Sequence, residues 1–409
     1  MGISTASYTI CHGLSPDFPF GDSRGQLRGG LWAPGGYYGT VTPMAAAQQG
    51  PAVPASTAVP ASTAVPASTA VPVTTAFTAD ASPLHGPETV RQVVPRQRSV
   101  SAIELTGIAS LAVRDLLNGP RREGRVIAPL RGIVFAEFPG AAAEPRVVAV
   151  CGPDAVRLPN AVIAIAASPP ASASVAEILA AAALPRPLRG RQRQPAVYAG
   201  GGMLRIGGLT IKARRWWDPS PVVGPLSRTR LDHGATALGR IISEAAPARL
   251  TMATHPTAKA LAACCASGDL AGAVELAETL VGLGPGIVPG GDGVITGMLL
   301  GLRLLGGAIP GGTRSVWLAD WLSAAVTSYA RQRTTPLAAS LLSCASRGQA
   351  AAEVAAVLHG VAGEEPVEPV ARKLLSVEAA ATGTSLIPAI DIASGLVAGC
   401  RAAQVLSVS

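Results

Sequence analysis

An α+β fold is expected of this sequence, with a small, mainly β region packed with a multi-helix domain and preceded by a disordered tail. Three observations support it. A hexapeptide, Ala-Val-Pro-Ala-Ser-Thr, recurs in register at Ala52, Ala58 and Ala64. Short apolar runs bounded by turn residues follow from about residue 100. From Leu226 the apolar spacing changes to the 3.6-residue period of helices.

Residues 1–98 form the expected tail. Proline at every sixth position breaks helix and sheet ladders, and small side chains bury too little surface to offset chain entropy. The tail is either a flexible extension or a stretch upstream of the natural start. No charged start followed by an apolar run is present, so no signal peptide is expected.

Residues 100–225 form the expected β region. Ile103 to Leu117 has helical spacing, and β-type runs follow at Val126–Ala128, Ile133–Phe138, Val147–Cys151 and Val162–Ile165. Met203–Ile206 and Leu209–Lys212 read as a hairpin turned at Gly207–Gly208. Arg186, Arg189, Arg191 and Arg193 read as a solvated loop rather than a phosphate track.

Residues 226–409 form the expected helical domain. Helices are expected over Leu226–Ala245, Pro256–Ala266, Asp269–Val281, Asp292–Leu305, Arg314–Gln332, Leu337–Ser346, Ala350–Val361 and Pro388–Ala402.

Composition narrows the function. Hydrophobic residues make up 48% and aromatics only 4%, so the core is aliphatic. The net charge of +8 is scattered rather than clustered, which argues against a nucleic-acid surface. Cys11, Cys151, Cys264, Cys265, Cys344 and Cys400 lack metal spacing. His12, His85, His233, His255 and His359 form no zinc pattern. The expectation is a cytoplasmic protein with no cofactor and no metal, acting on neither nucleic acid nor membrane.

Three loops carry the chemistry. The first runs Gly282-Leu283-Gly284-Pro285-Gly286-Ile287-Val288-Pro289-Gly290-Gly291-Asp292. Its glycines and prolines specify a crowded path into a helix start, where free N–H groups favour anions. It lacks the Lys-Ser or Lys-Thr of a P-loop. Asp292 lies three residues before Ile295, the first residue of an apolar stripe, so its carboxylate starts on the buried side. A plain interhelical turn with Asp292 as N-cap is the competing reading.

The second loop contains Arg333, Thr334 and Thr335 before Pro336. The preceding helix has a stripe of Leu318, Trp321, Leu322, Ala325, Val326 and Tyr329, which places Arg333 on the buried face. A guanidinium beside a hydroxyl-capped helix start suits phosphate or carboxylate. The alternative is a cation capping its own helix. The third loop, Gly383-Thr384-Ser385, precedes Pro388 in the same manner, and taken alone it reads better as an ordinary capped helix. Asp292 and Arg333 are thus the candidate catalytic residues. Gly284, Gly286, Gly290, Gly291, Thr334, Thr335, Gly383, Thr384 and Ser385 are the candidate anion-binding residues.

Together and in this order the loops resemble the AllH-type subunit family of oxamate carbamoyltransferase, as a divergent member. The family's long Gly-Leu-Gly-Pro-Gly-Leu-Thr-Pro-Ser-Gly-Asp-Asp loop is matched by Gly282 to Asp292, its Thr-Thr helix start by Thr334–Thr335, and its Gly-His-Ser-Ser-Gly-type loop in part by Gly383 and Ser385. The Trp217-Asp218-Pro219 turn is also similar, and the resemblance covers about Val100 to the C-terminus. Val288, Gly290, Gly293 and Thr384 stand where the family has Thr, Ser, Asp and His. The resemblance implies conversion of oxalurate and phosphate to oxamate and carbamoyl phosphate, in a complex with further subunits. Every small molecule in that reaction is an anion. A binding or regulatory subunit that keeps the loops without the chemistry is the alternative.

Overall fold

The computed structural model describes residues 103–408, apart from 131, 141–144, 167–173, 189–190, 246–250 and 381–386. The expected tail therefore lies outside the described residues. All described residues belong to one contact unit, Gln92–Ser409. Its α+β class is as the sequence predicts, with strands over 103–217 and helices from Arg228 onward.

The strands close into a barrel, which the sequence does not announce. They are β1 (Ile103–Ser110), β2 (Arg122–Leu130), β3 (Ile133–Glu137), β4 (Val147–Cys151), β5 (Ala161–Ile165), β8 (Val197–Gly200), β9 (Met203–Ile206) and β10 (Leu209–Trp217), in the spatial order β1-β10-β9-β8-β2-β3-β4-β5. Arg186–Leu188 (β6) and Arg191–Arg193 (β7) pair as a separate two-stranded ribbon, so the arginine-rich stretch is a hairpin rather than a plain loop. The hairpin over Met203–Lys212 forms as expected, with Gly207 in the left-handed region at φ 58°.

Ile103–Leu117 corrects the helical expectation. β1 runs parallel to β10 and antiparallel to β5, closing the barrel. Leu105 and Ala109 are buried two registers apart, and Gly107 between them admits Ile211, whose Cγ2 would lie 2.9 Å from a Cβ there. Only Arg114–Asn118 (α1) is α-helical.

β3, β4 and β5 read as unbroken apolar runs because both their faces are covered. Val134, Ala136, Val148, Val150, Val162 and Ala164 fill the barrel, whereas Ile133, Phe135, Val147, Ala149, Ala161 and Ile163 meet the helices. Burying one such side chain contributes about 1.5–3 kcal/mol. This shared wall separates the barrel core from the helical core and belongs to both.

The helices are α2 (Val175–Ala183), α3 (Arg228–Ala245), α4 (Pro256–Ser267), α5 (Leu270–Leu280), α6 (Gly290–Leu300), α7 (Gly306–Ala308), α8 (Thr313–Arg333), α9 (Pro336–Ala345), α10 (Ala352–Ala362), α11 (Val367–Ala380) and α12 (Ala389–Leu406). A π turn, Gly301–Leu305, joins α6 to α7. α2, with a Ser174–Glu177 capping box, and α11 are additions to the expected set.

α12 is long and apolar enough to cross a membrane by length and composition, yet 72% of that window is buried inside the protein. It lies alongside α6 at backbone distance. A Cβ on Gly297 would fall 1.9 Å from the Ile392 carbonyl oxygen, and one on Gly395 would fall 2.0 Å from that of Val294. Gly301 and Gly399 continue the contact one turn on. Since residue 293 meets 388 and residue 301 meets 399, the two helices run parallel and start side by side. That crossing positions the site.

Candidate functional site

The starts of α6 and α12 are built alike. Pro289 precedes α6 and Pro388 precedes α12; each proline is the N-cap and makes no side-chain cap bond. Asp292 and Asp391 are each the third helical residue, and they are 1% and 3% exposed. Two buried carboxylates thus sit at the positive ends of two adjacent helices. The expectation that α6 opens at Asp292 is corrected by two residues, and Asp292 reaches back rather than capping.

Each carboxylate ties distant backbone to its helix start. Asp292 accepts the Gly282 N–H through Oδ1 at 3.0 Å and the Thr334 hydroxyl through Oδ2 at 2.5 Å. Asp391 accepts the Thr251 hydroxyl at 2.5 Å and the N–H groups of Met252 and Ala253 at 2.7 and 3.2 Å, all through Oδ1. Gly290 lies between the two. A Cβ there would meet Asp391 Oδ2 at 2.5 Å and Met252 Cγ at 2.7 Å. At Gly293 it would meet Pro388 Cγ at 2.5 Å. A larger residue at 290 or 293 therefore requires α12 or the 252 segment to shift.

Burial pushes the Asp292 carboxyl up to about 6, against the opposing pull of its bonds from Thr334 and Gly282. A carboxyl in that range exchanges protons near neutrality. The five cysteines among the described residues are free, and burial pushes the Cys151, Cys265 and Cys400 thiols up to about 12, away from nucleophilic use.

The first and second loops meet. Gly282, Gly284 and Gly286 take positive φ of 76°, 107° and 106°. A Cβ on Gly282 would lie 2.1 Å from the Arg333 carbonyl oxygen, so the loop is threaded against the end of α8. Thr335 caps α9 by accepting the Ala338 N–H at 3.1 Å and donates to the Ile287 carbonyl at 2.6 Å. The Gly291 N–H donates to the Leu283 carbonyl at 2.9 Å. Gly290 supplies the first N–H of α6, which has no partner within the helix. Gly383, Thr384 and Ser385 lie outside the described residues.

Arg333 lies elsewhere than its phase suggests. Its side chain is 48% exposed and bonds Glu278, with Nη2 2.7 Å from Oε1 and Nη1 3.3 Å from the backbone oxygen. It thus caps the last turn of α5, not its own helix. Gly282 occupies the space behind its carbonyl, leaving the guanidinium to run outward. The stripe on α8 is also rotated, since Leu318, Ala319, Leu322, Val326 and Ala330 are buried while Trp321 is exposed beside Trp317.

Asp391 is the member that sequence reasoning missed. The signal was present as a repeated spacing, Pro289 to Asp292 and Pro388 to Asp391. Val288 sits in the apolar core with Leu300, Leu341 and Ile392, where no polar group is needed. Among the described residues, no three His, Cys, Asp or Glu side chains converge as a metal site.

Residues 280–400 match the family model described as Oxamate carbamoyltransferase subunit AllH. Comparison with curated proteins and with solved structures gives no match. The resemblance drawn from the loops is thus shown over a span that contains both carboxylates and the Thr334–Thr335 helix start. The matched model is that of an enzyme subunit, and it covers 280–400 of the 409 residues.

Proposed function

From the AllH match over residues 280–400, we propose that this chain is a subunit of an enzyme that converts oxalurate and phosphate to oxamate and carbamoyl phosphate, or of a divergent relative acting on another small anion. In this reading the substrate anion is received where α6 and α12 begin, with Gly290 giving its N–H to developing negative charge. Gly284, Gly286 and Gly291 hold the loop in place. Thr334 and Thr335 position it. Asp292, mostly a carboxylate at neutral pH, takes up and releases a proton near pH 6 and exchanges it through the Thr334 hydroxyl. Arg333 acts at the rim, reaching an anion by exchanging Glu278 for it. Gly383, Thr384 and Ser385 complete the anion contacts, and partner subunits supply the remaining groups. The complex works in the cytoplasm.

The observation that carries this reading is the family match across the paired helix starts. The test is reconstitution of the full chain with its partner subunits, with carbamoyl phosphate measured after addition of oxalurate and phosphate. Asp292→Asn is expected to lower turnover at least about a hundredfold. Unchanged turnover in that variant would remove Asp292 from the chemistry. No turnover in a correctly assembled wild-type complex would remove the reaction.

A second reading is favoured by one feature. The Gly291 N–H and the Thr334 and Thr335 hydroxyls all donate to protein acceptors. A non-catalytic subunit that binds a small anion would use these bonds as scaffold. It is distinguished by a complex that keeps full turnover with Asp292→Asn but loses its response to the bound anion.

A further inference from the structure

Two arginines ending different elements face one cleft on the seam between barrel and helices. The cleft is open to solvent, has a volume of about 50 Å³, and is lined by Glu137, Arg146, Thr327, Arg331, Ser340 and Ser343, with Pro336 and two alanines completing it. Arg146 stands just before β4, and its backbone carbonyl accepts the Phe138 N–H at 2.8 Å. Arg331 lies in the last turn of α8, two residues before Arg333. Ser340 crosses the seam. Its hydroxyl accepts the Val147 N–H at 3.1 Å and donates to the Pro336 carbonyl at 2.8 Å, fixing strand against helix.

The charge balance in the cleft is positive. Glu137 is the acidic side chain in the lining, and it is held by Arg125, with Nε at 2.8 Å and Nη2 at 2.7 Å. Arg146 carries a buried Nε with no hydrogen-bond partner among the described residues. Leaving a charged donor buried without an acceptor is costly, so such a group marks a place where an acceptor belongs. Burial and then the Arg146 charge press Arg331 below its ordinary value. Like charges brought together at a polar cleft relax when an anion sits between them.

We propose that this cleft binds a small oxyanion, phosphate or carboxylate, gripped between the guanidiniums of Arg146 and Arg331, with Ser343 on its floor. Arg331 and Arg333 share the last turn of α8 but meet different partners, Arg331 lining this cleft and Arg333 bonding Glu278 at the end of α5. This site is separate from the α6–α12 starts and does not depend on carbamoyl transfer. Two planar forks suit a ligand with several oxygens better than a monovalent halide.

The test is calorimetric titration of the full-length protein with inorganic phosphate and, separately, with malonate. Binding of phosphate alone assigns a phosphoryl ligand, and binding of malonate alone assigns a carboxylate. Arg146→Gln and Arg331→Gln are each expected to weaken binding by about tenfold or more. Should a variant fail to fold, phenylglyoxal labelling of the unmutated protein gives the answer by mass spectrometry. Phosphate or malonate is expected to protect Arg331 and leave Arg333 reactive. Equal labelling of Arg331 with and without anion, unweakened binding in both arginine variants, or no binding of either anion would overturn the proposal.

Discussion

Replacing Asp292 with Asn should remove one pH-dependent contribution to stability in a defined window. The carboxyl is 1% exposed and its pKa is raised from 3.8 to about 6, chiefly by burial. A folded-state pKa above the unfolded value means that the native state holds its proton more tightly. The stabilisation this brings is full below about pH 4 and is lost as pH rises through about 6. A shift of about two units corresponds to about 3 kcal/mol of stability given up at neutral pH. Asparagine keeps the shape and can still accept the Gly282 N–H. The Thr334 hydroxyl, which now donates to Oδ2, can turn to accept instead. Urea unfolding of both proteins at intervals from pH 4 to pH 7.5 isolates the effect, because every other titrating group is shared. The stability of Asp292→Asn relative to wild type should rise across that interval by about 2–3 kcal/mol and level off above pH 7. A difference that stays flat, or that falls, would refute the burial argument. A carboxylate that costs stability at neutral pH is the kind of group function retains.

Three further outcomes follow from the geometry. Gly297→Ala or Gly395→Ala drives a Cβ to about 2 Å from a facing carbonyl oxygen, and thermal unfolding should show a loss of about 3 kcal/mol or more. Asp391→Ala leaves the Thr251 hydroxyl and the Met252 N–H without their acceptor; hydrogen exchange at 252 should accelerate, with a stability cost of about 3 kcal/mol. Arg333→Ala removes an exposed pair with Glu278, so denaturant unfolding should change by less than about 1 kcal/mol; a larger loss would show that its contacts are misassigned.

Much of the fold was legible because period and turn chemistry are local signals. Helices from Arg228 to Ala362 fall where apolar spacing and Pro starts place them. Barrel closure was not legible, since it depends on β1 pairing with both β5 and β10, a choice that no single segment encodes. The helical reading of Ile103–Leu117 failed for the same reason. Closely spaced apolar residues fit either period, and the empty edges of β5 and β10 decide the matter. The register of α8 was also misread, because Trp321 counts as apolar in a pattern but lies exposed beside Trp317.

The site was legible where side chains are dictated by backbone crowding and illegible where they are not. The meeting of the Gly282 loop with Thr334 follows from chain geometry, since glycine is what fits 2.1 Å from the Arg333 carbonyl. The direction of the Arg333 side chain does not follow, because a long flexible cation takes whichever carboxylate is near, and Glu278 is set by α5 packing. Asp391 stayed hidden because its loop looked like an ordinary capped helix. Its meaning appears only once Gly297 and Gly395 bring α12 against α6 and make two Pro-x-x-Asp starts neighbours. The four glycines of that crossing then become as much a part of the site as the carboxylates. They set the distance between two helix dipoles, and with it the field in which Asp292 titrates.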